Sequence, residues 1–437
     1  MAHRSPDSRT VEADGARTAA DEPDTPAGDD ATAPPHAPEP PAALVSPAPG
    51  SRRLGRNVIA LGATSFFTDV ASEMMYPLLP LFLASVLGAS ASFIGVIEGA
   101  AESVAALLKL VSGWWSDRVA SRKRLVLLGY GIASVIRPLT GSAHSASQVL
   151  AIRVTDRVGK GIRSTPRDAL IAESVDPAIR GRAFGFHAAM DNAGAVLGPL
   201  LAFAVIELWH PSLRTVFWLT AIPGALAFFT LWWFVRDTPH EITGTRPQLL
   251  GRDLPRRFWM YLAVVFVFTL GNSTDAFLLL RARQLGVAIV LAPVLWAFFN
   301  FVKSAFGTYG GGLSDRIGRR PLIVGGWIVY AGVYLGFAAA GVAWEAWALF
   351  GVYALFYAMT EGTEKALVVD LVPAQRKGTA LGWYNLAIGL GAFPASLLFG
   401  AVWDRFGAPV AFAMGASLAI VAAVGMFIVA PRQTAHA

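Results

Sequence analysis

Apolar runs of roughly 20 residues recur along this 437-residue chain, and no other feature restricts its fold as strongly. That is the length at which a helix crosses the hydrocarbon core of a bilayer. From Arg56 onward the runs resolve into about twelve helices. The spacing predicts spans near 57–85, 93–115, 124–143, 147–165, 182–207, 213–235, 259–281, 288–309, 321–342, 346–366, 379–402 and 408–430. The longest polar interval, RDTPHEITGTRPQLLGRDLPRR at 236–257, divides six helices from six. The expected fold is therefore an all-α polytopic membrane protein with two six-helix bundles.

Composition agrees. The chain is 54% hydrophobic and only 15% charged, where a soluble protein carries roughly 25% charge. It has no cysteine, so disulfides and thiolate metal sites are excluded. Residues 1–50 hold nine acids and three Arg, net −6, leaving +12 for the rest of a chain whose total is +6. The basic excess lies in separate loops and forms no single patch, which argues against nucleic-acid binding. The Pro-, Ala- and Asp-rich segment 1–50 has too few large apolar residues to fold and no signal-peptide core, so it is expected to be a disordered tail.

Lys and Arg are enriched in short cytoplasmic loops of membrane proteins. Here they alternate from loop to loop: Arg118, Arg122, Lys123 and Arg124, then Arg180 and Arg182, then Arg236 to Arg257, then Arg316, Arg319 and Arg320, then Arg376 and Lys377. Arg281, Arg283 and Arg405 are exceptions. This pattern places both termini in the cytoplasm. The expected organisation is a tail at 1–50, bundles at 51–235 and 259–430 around a central loop at 236–258, and a tail at 431–437.

The two bundles share a pattern. SGWWSDRVASRKR at 112–124 and GGLSDRIGRRPLI at 311–323 both fall between the second and third helix of a half. DALIAESVDPAIRGRAFGF, from Asp168, aligns without gaps on KALVVDLVPAQRKGTALGW, from Lys365, matching Ala169, Leu170, Gly181, Ala183 and Gly185 to Ala366, Leu367, Gly378, Ala380 and Gly382. Two such halves imply a pseudo-two-fold axis along the membrane normal, about which one cavity can be exposed alternately to each side.

On these residues the chain resembles the major facilitator superfamily. Gly312, Asp315, Arg316, Gly318, Arg319 and Arg320 resemble its motif A, and Gly113, Asp117, Arg118 and Arg122 form the partner copy, which reads Ala120 and Ser121 where the second copy has Gly318 and Arg319. The resemblance covers about 51–430 and implies that these loops gate the transporter. Gly185, Gly194, Gly198 and Pro199 resemble motif C of the twelve-helix drug/proton antiporters, with Ala202-Phe203 in place of its last glycine pair. That likeness implies export from a bacterial inner membrane by a monomer that uses a proton gradient and no cofactor. Close helix packing through small residues is the structural alternative.

Ionisable groups deep in a bilayer cost at least ~2.5–3.5 kcal/mol, so they face a cavity or a partner. Asp69 and Glu73 lie four apart on the first helix, in one stripe with Tyr76 and Pro80. Glu98 and Glu102 repeat the arrangement on the second helix. Arg137, Arg153, Asp156 and Arg157 are placed to neutralise them, and His187 and Asp191 share a stripe with Gly194 and Gly198. Asp69, Glu73 or Asp191 is expected to carry a coupling proton, because two neighbouring carboxylates cannot both ionise cheaply. The second half offers Asp275, Asn300 and Lys303. In the gapless alignment Arg167 opposes Glu364 and Asp168 opposes Lys365, an arrangement suited to salt bridges between halves.

Two transport readings follow: proton-coupled export of a small cationic or amphipathic solute drawn by the carboxylates, or proton symport of an organic anion held by Arg137, Arg153 and Lys303. No nucleotide loop or nucleophile–base pair points to an enzyme or an ATP-driven pump. No His/Asp cluster has metal-ligand spacing beyond the weak pair His187 and Asp191. The expected partners are a small solute, protons and the lipid bilayer.

Overall fold

A computed structural model describes residues 54–116, 118–119, 121–176, 179–238, 254–373 and 376–429. The predicted disordered tail lies outside them. Helices α1 (Arg56–Met75) and α2 (Leu79–Ser85) form the first span, and α3 (Ala91–Ser116) the second. The third is α4 (Arg122–Ile136) continued by a 3-10 turn at Arg137–Ser142, followed by α5 (Ala146–Glu173) and α6 (Arg180–Trp209). The sixth span joins α7 (Leu213–Leu219) and α8 (Ala221–Phe234). The second half runs α9 (Arg256–Gly271) with α10 (Ala276–Gln284), then α11 (Ala292–Ile317), α12 (Arg319–Ala339), α13 (Ala343–Asp370), α14 (Lys377–Phe406) and α15 (Ala408–Val429).

Four spans are broken for local reasons. Pro77 has no N–H to donate, and Pro138 follows Arg137 where α4 tightens into the 3-10 turn. Thr220 and Pro223 mark the sixth-span junction. The seventh span unwinds at Asn272–Asp275 without a proline. Among the described residues nine spans are long and apolar enough to cross a membrane on composition alone. The three that fall short, the first span, α5 and α13, carry Asp69 and Glu73, then seven charges from Arg153 to Asp168, then Glu361, Glu364 and Lys365. Their polar residues turn inward. Tryptophans left exposed at the helix ends, Trp115, Trp232 and Trp233 at one end and Trp209 and Trp344 at the other, suit the two membrane interfaces.

The packing has two-fold character. In the first half α1 packs on α6 and α8, α3 on α5, and α4 on α5 and α8. In the second α9 packs on α14 and α15, α11 on α13, and α12 on α13 and α15. The halves meet along α3–α14 and α6–α11, contacts that the same two-fold exchanges. Their interiors differ in chemistry. The second half is cored by rings, with Phe268 stacked on Trp327 at 4.5 Å and Tyr330 on Tyr334 at 4.1 Å. The first buries Glu98, Arg137, Arg153 and Asp156, each no more than 3% exposed.

One end of the seam is sealed. The Asp404 carboxylate, at the end of α14, accepts the backbone N–H of Ala91 at 2.9 Å and of Ser92 at 2.8 Å, where α3 begins. Further along, Ser103 Oγ donates to the Gly389 carbonyl at 2.5 Å. Two cavities border the seam around Ala106.

Candidate functional site

The site is built on α1, α3, α5 and α6 of the first half. Arg153 grips Glu98 with two bonds, Nε to Oε1 at 3.0 Å and Nη2 to Oε2 at 2.6 Å. Arg137 donates to Asp156 at 2.9 Å and to the Thr68 carbonyl at 3.1 Å, while Arg153 reaches Asp156 at 3.9 Å. Arg157 pairs with Glu102 at 3.0 Å. Helical spacing produces this ladder: 153, 156 and 157 share a face of α5, and 98 and 102 the facing stripe of α3. A buried ion pair is held only when both members are present.

Asp69 and Glu73 are different. Neither has a Lys or Arg within 4.0 Å among the described residues. Glu73 instead accepts Trp296 Nε1 at 2.6 Å, across the boundary between halves. Their helix lies hard against α6, because a Cβ at Gly194 would stand 2.6 Å from the Phe66 carbonyl and one at Gly198 2.7 Å from that of Val70. Asp69 and Glu73 flank the same contacts, their Cβ atoms 2.9 and 3.0 Å from those positions. On α6, His187 Nδ1 stands 3.3 Å from Asp191, and His187 Nε2 and Asp191 Oδ1 are buried without a partner. Two stripes that the sequence offers separately are therefore one cluster. Gly185 has open space around it and takes no part in the seam. Pro199 is buried within α6.

Two cavities adjoin the cluster. The larger, about 630 Å³, is lined by Asp69, Lys109, Lys160, Arg163, Asp191 and Asn385 among others. The smaller, about 310 Å³, is lined by Tyr76, Glu98, Glu102, Lys109, Asn272 and Asp275 among others. Arg137, Arg153 and Asp156 lie behind the walls in their ion pairs, which corrects their expected place in the cavity. Asn300 donates to its own helix at the Trp296 carbonyl, 3.1 Å, and is likewise structural. Asp275 accepts Tyr353 Oη at 2.6 Å, and Lys303 pairs with Glu361 at 3.4 Å while lying over the Tyr357 ring. Sequence reasoning missed Lys109 and Lys160. The signal was there: Lys109 continues the 98, 102 stripe and Lys160 the 153, 157 stripe, one turn or two further on.

The four residues expected to bridge the halves stay within them. Arg167 pairs with Asp168 at 2.9 Å, Lys365 with Glu361 at 3.8 Å. Glu364 accepts Trp327 Nε1 at 2.9 Å and Tyr384 Oη at 2.6 Å. Arg167, Asp168 and Lys365 instead line the larger cavity.

This architecture has a match among protein families: the Major Facilitator Superfamily model aligns with residues 61–396. The chain belongs to the Major Facilitator Superfamily. It is a multi-pass membrane transporter. An uncharacterized MFS-type transporter of Methanocaldococcus jannaschii is 36% identical over 377 residues, covering 85% of this chain and 94% of the relative. A probable 4-methylmuconolactone transporter of Cupriavidus pinatubonensis is 28% identical over 278 residues, covering 59% of this chain and 62% of its own. In fold the chain is similar to the nucleoside transporter NupG, with a TM-score of 0.74 at 13% identity over 86% of this chain and 100% of that one.

The superfamily's motif A can now be placed. Asp117 lies outside the described residues, as does the side chain of Asp315, and Gly113 and Gly312 are described only as parts of α3 and α11. Arg118 and Arg316 stand at the helix ends. Arg122 pairs with Glu173 and bonds Ser116 Oγ at 3.1 Å, and Arg319 pairs with Asp370. Both members of the two pairs are 197 residues apart, the offset of the gapless alignment. The first copy therefore does not lack this Arg, as residue-by-residue comparison from Asp117 suggests. It carries it one position later. Gly318 turns the second copy at φ +92°, a conformation that favours glycine. The first copy spends an extra residue there, and Ser121 caps α4 by accepting the Arg124 N–H at 3.3 Å. Arg320 donates to the Phe427 carbonyl at 2.5 Å.

Proposed function

We propose that this transporter is a proton-coupled secondary transporter in a bacterial inner membrane, with both termini cytoplasmic and one central cavity opened alternately to each side. The observation that supports this reading is the α1–α6 cluster, where Asp69, Glu73 and Asp191 have no Lys or Arg within 4.0 Å among the described residues, while Glu98, Glu102 and Asp156 each have one. A carboxylate without a fixed counter-ion is the group able to exchange a proton as the cavity changes sides. Glu73, bonded to Trp296 of the opposite half, would transmit that change across the seam.

Cationic export has less support. Of the carboxylates that the sequence offers as a lure for cations, Glu98 and Glu102 are each spent on an arginine, which leaves Asp69, Glu73 and Asp191. Gly194 and Gly198, the export signal, have a full account in the approach of α6 to α1. The sign of the coupling supports symport of an anion. A proton on Asp69 removes negative charge from the cavity, which strengthens binding of an anion and weakens nothing for it, so proton and anion travel together.

The test is transport in inverted membrane vesicles with and without a pH gradient, against organic anions, cationic drugs and divalent metals. Uptake or release of one solute should follow the gradient. Asp69→Asn and Asp191→Asn should each reduce gradient-driven transport by tenfold or more while leaving solute exchange at equal pH intact. Gradient-driven transport preserved in both, and in Glu73→Gln, would sink the proposal.

A further inference from the structure

Lys109 and Lys160 carry the next step. Both face the larger cavity, and neither has an acid within 4.0 Å among the described residues. A cation in a membrane interior is expensive unless something neutralises it. Of the nearby acids, Glu102 is committed to Arg157, Asp168 to Arg167, and Glu361 to Lys303 and Lys365, while Asp69 and Asp191 share the cavity without coming within 4.0 Å of either lysine. Arg163, the remaining cation of that wall, is held 4.3 Å over the Tyr130 ring. With a proton on Asp69, the two lysines outweigh Asp191 in this cavity, and an anion from outside the chain balances the remainder.

The geometry around Lys109 says what else the solute carries. Lys109, Ala106 and Asn385 line both cavities, so they mark the throat between them. Past the throat no further Lys or Arg among the described residues lines the smaller cavity. Its polar lining includes Tyr76, Asn272, Thr274 and Tyr357, with Glu98 and Glu102 paired to Arg153 and Arg157 and Asp275 accepting Tyr353 Oη. A second carboxylate has no partner at that end, and Asp275 would repel it. Hydroxyl or carbonyl groups do have partners in the unwound turn Asn272–Asp275. Such breaks in a spanning helix present hydrogen-bonding groups at the depth where solutes bind.

Resting on the transporter reading above, we propose that the solute is a small hydroxylated monocarboxylate, its carboxylate held between Lys109 and Lys160 beside Asn385 and its hydroxyl end at Asn272 and Thr274. The groups facing Asp69 in this cavity are Asp191 with His187 on α6, Lys160, Arg163, Arg167 and Asp168 on α5, Lys109 on α3 and Lys365 on α13, with Glu73 on its own helix. Protonation of Asp69 leaves the two lysines as the dominant charge and tightens the anion.

The experiment is binding to the purified full-length chain in detergent, followed by calorimetry and thermal shift, with no gradient present. The probes are glycerate, gluconate and 4-hydroxybenzoate, their amides, and 4-hydroxybenzylamine. At least one acid should bind while the amides and the amine do not. Lys109→Gln and Lys160→Gln should each raise its Kd tenfold or more, and Lys109→Arg should recover most of the loss, which separates charge from folding. Asn272→Ala should weaken the hydroxy acid several-fold and leave its deoxy counterpart unchanged. In Asp69→Asn, binding should persist but lose its pH dependence. Binding of the amine, no acid bound, or acid bound equally by both lysine variants would overturn the site. Binding that keeps its pH dependence in Asp69→Asn would instead overturn the coupling reading and leave the anion site standing.

Discussion

Single residues in the first half are held by charge where those in the second are held by rings, and the two respond differently to substitution. Glu98 and Arg153 are 3% and 2% exposed, so Glu98→Gln leaves a guanidinium buried without its counter-ion. Removing one member of a buried pair costs about 3–5 kcal/mol. Glu102, whose side chain is 46% exposed, sits at the cavity wall, where an exposed pair is worth about 0–1 kcal/mol. Thermal unfolding in detergent should therefore separate Glu98→Gln from Glu102→Gln clearly, and Glu98→Met with Arg153→Met should regain much of the loss. Equal unfolding midpoints for the two single variants would contradict the ladder. The sequence shows these charges but not their partners: 98 and 153 lie on different helices, and nothing local says that Arg153 chooses Glu98 and leaves Glu73 to Trp296.

At the level of helices, the twelve spans were legible because apolar length and the repeat are properties of continuous stretches. The breaks were not: the predicted spans 57–85, 124–143 and 213–235 run through Pro77, Pro138 and Pro223, although a proline marks each. At Asn272–Asp275 no proline does, and the predicted span 259–281 passes straight through the turn that lines the smaller cavity. Arg281, an exception to the charge rule from sequence, donates to the Phe337 and Ala340 carbonyls at 3.0 and 2.8 Å. It caps the end of α12, where a cation meets unpaired carbonyls and the negative end of the helix. The repeat gives the sharpest expectation at this scale. Gly318→Ala forces a side chain into an extended positive-φ conformation (φ +92°, ψ 153°) at roughly 1–3 kcal/mol and should loosen the start of α12. Ser121→Ala, which removes a cap worth about 0.5–2 kcal/mol, should do the same to α4. Hydrogen exchange at the first turn of each helix reads both. Exchange that quickens in neither would show that the two turns are not set by these residues.

For the whole molecule, what matters is which end of the seam is held shut and by how much. The two-fold relates Asp404 to Glu207, 197 residues earlier, yet among the described residues Glu207 makes no bond to a helix start, while Asp404 takes two backbone N–H groups of α3 and Ser92 Oγ. Besides the close packing of α3 on α14, the sealed end thus carries one carboxylate set against the positive end of a helix. A hydrogen bond to a charged group is worth about 1.5–3 kcal/mol. Asparagine keeps one acceptor, so Asp404→Asn should release about 1–2 kcal/mol of the closed state, a roughly 5–30-fold shift in population. The absence of cysteine from the chain makes this measurable with single introduced thiols. A cysteine at Ser396, 2% exposed between the halves, should react with an impermeant maleimide from the sealed side faster in Asp404→Asn than without it. A cysteine at Ser164, which lines the larger cavity, should react more slowly from the other side. The two rates must move in opposite directions if one equilibrium links the two faces. If Ser396 alone were to quicken, Asp404 would be a local clasp, and the state of the cavity would be set elsewhere along the seam.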